Sequence, residues 1–120
     1  MPEAQRWKDL KRILGIRLLI KMIGLTQKKL LSYNWDEKKM PTHITARLDF
    51  LMIIILLLAQ YPTRTKIRKW FKQPRLMLNN KSPAEILSGD WDPKTPYIQN
   101  VFRTTFYMAI KSFIPDPYNQ

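Results

Sequence analysis

The sequence predicts an all-α protein, a compact bundle of about six helices. Three observations lead there. Apolar residues recur at helical spacing, beginning with Leu10, Ile13, Leu14 and Leu18 on one face. Prolines, two of them preceded by serine or threonine, separate the hydrophobic segments, while only three glycines occur in 120 residues. A hydrophobic share of 45% is enough to build a core, which excludes bulk disorder. The length fits one domain, or at most a pair of small packed modules.

The first helix covers "WKDLKRILGIRLLIKMIG", where Gly15 divides it and Gly24 ends it in the positive-φ position favoured after a helix. Thr26 is the N-cap of a short helix over about 27–34, with Leu30, Leu31 and Tyr33 turned inward and Gln27, Lys28 and Ser32 outward. A polar turn, "DEKKMP", follows, and Thr42 caps a helix from about His43 to Gln60. From Phe50 onward this helix is apolar all round, so neighbouring helices or a second subunit must cover it, and Asp49 needs a partner or solvent. Its run "FLMIIILLLA" is ten residues long, half of the ~20 that a bilayer span needs.

Residues 63–73 read as an amphipathic helix with Ile67, Trp70 and Phe71 inward, five cations outward and Pro74 as its end. Ser82-Pro83-Ala84-Glu85 is a capping box with proline at the first helical position, opening a two-turn helix that exits at Gly89. Thr95-Pro96 repeats the signature and starts a last helix to about Phe113, striped by Ile98, Val101, Phe102, Thr105, Phe106, Ala109 and Phe113. The tail "IPDPYNQ" is expected to be extended.

Composition narrows the chemistry. Cysteine is absent, the single histidine His43 stands near a helix start, and Asp90 and Asp92 flank Trp91 in a loop that reads as a solvated turn. With no metal-ligand cluster, phosphate-binding glycine loop or carboxylate pair at useful spacing, no enzyme, cofactor or metal is expected. The first residues are polar and charged, which predicts a soluble cytoplasmic protein without a secretory leader.

A formal charge of +12 points instead to an anionic partner. Residues 1–40 carry ten Lys/Arg against four Asp/Glu, and residues 61–81 carry seven with no acid. Gly24-Leu25-Thr26 with Leu30 and Tyr33 matches the turn and second helix of a helix-turn-helix, a pattern that ordinary helical hairpins share. As a DNA reader it would use Thr26 as cap, Gln27, Lys28 and Ser32 at base edges, and Lys28, Lys29, Lys38 and Lys39 at phosphates. The aromatics Trp70, Trp91, Tyr97, Phe102, Phe106 and Tyr107 fit either a core or a protein-binding surface. A membrane-surface role explains the charge alone.

The stretch "ARLDFLMIIILLLAQY…RKWFKQPRLMLNNKSPAEILSGD" resembles the C-terminal part of the Xre/MbcA/ParS antitoxins. That family shows a long apolar helix, a short helix ending in Trp-Leu or Trp-Phe, a proline loop and a Ser/Thr-Pro capped helix. Here Trp70, Phe71, Pro74, Leu78, Ser82, Pro83, Glu85, Ile86 and Leu87 occupy those places. "IGLTQKKLLSYNWDEKKMP" resembles, more loosely, the family's helix-turn-helix, in a degenerate form with Tyr33 where tryptophan is common. The resemblance implies a helix-turn-helix-like part over 1–41 and a toxin-binding part over 42–120. It further implies a homodimeric antitoxin that occludes the cleft of a RES-domain toxin, an enzyme that depletes or transfers NAD, and that binds its own promoter. Toxin contacts are then expected at Trp70, Pro74, Arg75, Ser82, Pro83, Glu85 and Trp91. The alternative is a stand-alone basic helix-turn-helix regulator without a toxin.

Overall fold

Seven α-helices, two 3-10 turns and no strand make up residues 3–34 and 36–113, the residues described by the computed structural model of the chain. The helices are α1 (Glu3–Leu14), α2 (Ile16–Ile23), α3 (Gln27–Ser32), α4 (Thr42–Leu57), α5 (Arg64–Lys72), α6 (Pro83–Ile86) and α7 (Pro96–Phe113). The 3-10 turns span Glu37–Lys39 and Leu76–Leu78. The predicted tail, residues 114–120, lies outside the described residues.

The count is seven rather than six because Gly15 stands at φ +82°, ψ 153°, a conformation essentially confined to glycine, and separates α1 from α2. The break rotates the buried stripe. Leu10 and Leu14 are buried on α1, but on α2 the buried set moves to Leu19, Met22 and Ile23, leaving Leu18 half-buried. Gly24 ends α2 in the left-handed conformation with its N–H on Ile20 O.

Breaking a helix leaves carbonyls without intrahelical partners, and arginines from other helices fill them. Arg68 on α5 donates through Nε to Ile13 O (2.8 Å) and through Nη2 to Arg12 O (3.1 Å), and Arg64 Nη1 reaches Arg12 O. A guanidinium at a helix C-terminus also opposes the negative end of the macrodipole. Arg68 is therefore half-buried, whereas all five cations of α5 were expected to face out.

A single apolar cluster runs from Trp7, Leu10 and Leu30 through Ile44, Leu48, Leu51 and Ile54 to Trp70, Phe71, Leu87, Ile98 and Val101, so the segments before and after Pro41 share one core. Four expectations shift. Pro41 is the N-cap residue of α4 and Thr42 its first helical residue, without a side-chain cap. The helix ends at Leu57 rather than near Gln60, because beyond Leu58 the backbone bonds tighten, with Ala59 N–H on Leu56 O and Tyr61 N–H on Leu58 O. Leu31 is exposed, since a six-residue α3 presents one inward position and Leu30 takes it. On α7 Phe106 is exposed and Phe102 half-buried, stacked on each other, while Ile98, Val101, Thr105 and Ala109 carry the buried stripe. On α4, Ile53 and Leu56 stay exposed, and Asp49 pairs with Arg6, which also holds the buried Glu37.

Candidate interaction surfaces

The segment after α5 is built on Trp70. This side chain is 1% exposed, lies edge-on to Phe71 (5.1 Å between centroids), and points its Nε1 at Met108 Sδ (3.5 Å) on α7. Arg75 lays its guanidinium over the other part of the ring, 5.0 Å from the centroid. Pro74 follows the end of α5 and cannot continue it. An antiparallel bridge then joins Arg75 to Lys81, with Arg75 N–H on Lys81 O (3.1 Å) and Asn80 N–H on Arg75 O (2.9 Å). Asn79 and Asn80 both adopt positive φ, which asparagine tolerates better than most residues. The loop turns Leu78 into the core and leaves Leu76 84% and Met77 58% exposed. Between it and α7 runs a groove of about 670 Å³ lined by Tyr61, Lys66, Leu76, Met77, Tyr107 and Lys111 among others.

The capping box is formed in full. Ser82 Oγ accepts from Glu85 N–H (3.2 Å), and Glu85 Oε1 accepts from Ser82 N–H (3.4 Å) and Oγ–H (3.1 Å). The helix it opens, α6, is a single turn rather than two, with Pro83 at its first position. Leu87 N–H bonds Pro83 O and then leaves the helix. One turn has no stability of its own; the burial of Pro83, Ala84, Ile86 and Leu87 holds it.

The chain leaving α6 is fastened to the end of α2. Trp91 Nε1 donates to Met22 O (2.5 Å), and its ring meets Phe50 edge-on at 5.5 Å. Arg47, 4% exposed on α4, donates Nε to Trp91 O (2.8 Å), Nη1 to Ile23 O (2.8 Å) and Nη2 to Asp90 Oδ1. Gly24 touches this loop so closely that a Cβ on it would stand 2.5 Å from Gly89 O. Asp90 is thus an ion-pair partner as well as a loop residue, while Asp92 caps its own turn through Lys94 N–H (2.9 Å).

Of the residues expected to touch a toxin, Trp70, Ser82, Pro83 and Trp91 are buried supports, whereas Pro74 and Glu85 are exposed and Arg75 is half-buried. Arg47, Leu76 and Met77 were not foreseen as part of this region. The signal for Arg47 was present: it falls on the stripe Ile44, Leu48, Leu51 and Ile54, where a buried position is expected.

The other surface surrounds α3. Thr26 Oγ1 accepts from Lys29 N–H (3.1 Å) as the N-cap, and Gln27, Lys28, Lys29 and Ser32 are all exposed. Lys29 Nζ stands over the Tyr33 ring at 5.8 Å, and Ser32 Oγ–H turns back to Lys29 O. Lys38 and Lys39 sit exposed on the 3-10 turn that Asp36 caps. Among the described residues no group of three or more His, Cys, Asp or Glu is arranged to hold a metal ion, and no helix is long and apolar enough to cross a membrane. Comparison of the chain with family models, with curated proteins and with solved structures gave no match.

Proposed function

We propose that the chain is an antitoxin of the Xre/MbcA/ParS type, a non-enzymatic cytoplasmic protein that neutralises a RES-domain toxin by covering its cleft. The observation that carries this reading is the loop 75–81. It presents two adjacent, strongly exposed apolar side chains, Leu76 and Met77, from a backbone pinned by a bridge, a 3-10 turn and the Arg75–Trp70 stack. A free protein gains nothing from exposing them, and exposed apolar groups beside a groove mark contact sites. Rigid presentation lowers the ordering cost of binding. Occlusion asks for shape and not for chemistry, in keeping with a surface of apolar and cationic side chains around Tyr61 and Tyr107. The uncovered Ile53 and Leu56 on α4 support a homodimer.

Co-expression with the RES-type toxin encoded beside the gene tests the reading. The expected result is rescue of growth and recovery of the two chains as one complex; absence of both contradicts it.

A second reading, a stand-alone basic regulator, is favoured by one arrangement. The α2–turn–α3 unit holds Gln27, Lys28 and Ser32 outward on a capped helix with Lys38 and Lys39 nearby in sequence. Its mark is sequence-specific operator binding without any toxin partner.

A further inference from the structure

Some of the cations hold the fold together: Arg6 pairs with Glu37 and Asp49, and Arg47 with Asp90. Others gather along the seam between α2 and α5. Arg17 and Lys21, one turn apart on α2, and Lys72 on α5 line a common groove of about 370 Å³. All three are exposed, and none makes an ion pair among the described residues. The carboxylate in this groove, Glu85, accepts hydrogen bonds from Ser82 at the start of α6 and keeps its own charge, so three cations stand against one anion there. Arg64, Arg68 and Lys72 follow one another at four-residue spacing and share a side of α5. The first two donate to neutral carbonyls of α1, so those bonds leave their charge uncompensated. The Arg68 guanidinium lies 3.6 Å from where a Gly15 Cβ would stand, directly before α2. Arg17 and Lys21 of α2 therefore border the groove with Lys72 of α5, while Arg64 and Arg68, further back on α5, lie against the end of α1.

What this face lacks decides what it fits. The exposed large hydrophobic residues lie on α3, α4, α7 and the 75–81 loop, and none belongs to α1, α2 or α5 among the described residues. A membrane-surface helix needs an apolar face to sink below the headgroups. A single-stranded nucleic acid is held by aromatic faces that stack its bases. A duplex backbone requires only cations at suitable spacing. We propose that the α2–α5 seam binds the phosphate backbone of duplex nucleic acid, with Arg17, Lys21 and Lys72 as its phosphate contacts. This places the electrostatic contact away from α3, where the helix-turn-helix pattern puts it, and it does not rest on toxin binding.

The test is a titration of a labelled DNA duplex of arbitrary sequence with the full chain, between about 50 and about 200 mM salt. Each phosphate contact contributes about −0.9 to the slope of log K against log salt. Arg17→Ala/Lys21→Ala/Lys72→Ala should flatten that slope by about 2.7 and weaken binding at least about tenfold at the lowest salt. The charge-conserving Arg17→Lys/Lys21→Arg/Lys72→Arg should keep both, and Lys28→Ala/Lys38→Ala/Lys39→Ala should change the slope less. An RNA duplex of the same sequence should depend on the same three side chains. The proposal is overturned if the first variant keeps the wild-type slope or if the α3-side variant flattens it as much. It is equally overturned if single strands or phosphatidylserine vesicles bind more tightly than duplex. Rescue from the toxin is scored separately, so either result stands without the other.

Discussion

The turn around α3 and the loop around α6 are both short capped helices reached through a glycine or a proline, yet they present opposite faces to solvent. Around α3 the cap belongs to a mainly polar surface: Gln27, Lys28, Lys29, Ser32, Lys38 and Lys39 are exposed with Leu31 among them, and Leu30 is the buried residue of the helix. Around α6 the cap itself is buried, with Ser82, Pro83, Ala84, Ile86 and Leu87 all inside, and the exposed apolar side chains belong to the preceding loop at Leu76 and Met77. A conspicuous motif can therefore lie inside the fold, beneath the surface that solvent meets. In the second region the motif residues Trp70, Ser82, Pro83 and Trp91 form a platform, and two less conspicuous residues stand on it.

The two regions are also joined, since Arg47 and Trp91 tie the end of α2 to the exit of α6. Breaking that joint should have the largest effect. Arg47→Ala leaves the buried carbonyls of Ile23 and Trp91 without donors, about 1–3 kcal/mol each, so a loss of roughly 2–6 kcal/mol is expected in chemical denaturation. A loss below about 0.5 kcal/mol, the range of a surface substitution, would mean the regions are not held through this arginine.

Gly24→Ala comes next. A left-handed non-glycine residue costs about 1–2 kcal/mol, and the new Cβ must also push back Gly89 O, 2.5 Å away, so the thermal midpoint should fall by more than strain alone requires. A fall no larger than that strain would mean that the two loops are not in close contact.

Loss of either helix cap should act at smaller amplitude. Ser82→Ala and Thr26→Ala should each cost about 1 kcal/mol, but with different consequences. The buried cap at Ser82 supports the platform, so its loss should weaken toxin binding as well as stability. The exposed cap at Thr26 should lower stability and leave toxin affinity unchanged. Equal effects of both on toxin binding would erase the distinction between the regions.

Much of the fold was legible in the sequence. Gly15, Gly24, Pro74 and Ser82-Pro83 mark element ends because each permits or forbids particular φ values or supplies a local hydrogen bond, effects that act within a few residues. The inward set Ile67, Trp70 and Phe71 followed from helical spacing. What was not legible depends on distant partners. Leu31 faces out because α3 stops after six residues, Arg68 turns inward because the Gly15 break leaves carbonyls on α1, and α6 shrinks to one turn because Leu87 must reach the core. The roles of Trp70 and Trp91 were hidden for the same reason. A tryptophan in a motif looks alike whether its ring meets a partner or Met108 and Phe50 of its own chain.

If the 75–81 loop is the proposed toxin contact, Leu76 and Met77 carry it and the motif residues beneath them do not. The direct measurement is a binding titration of Leu76→Ala/Met77→Ala against the RES-type toxin, with the thermal midpoint recorded on the same samples. Two exposed side chains at an interface centre are worth about 2 kcal/mol or more, so affinity should fall at least about thirtyfold. The midpoint should stay within the change expected of exposed positions, about 0.5 kcal/mol. Unchanged affinity with an unchanged midpoint would contradict the account, because the loop would then be exposed without being used.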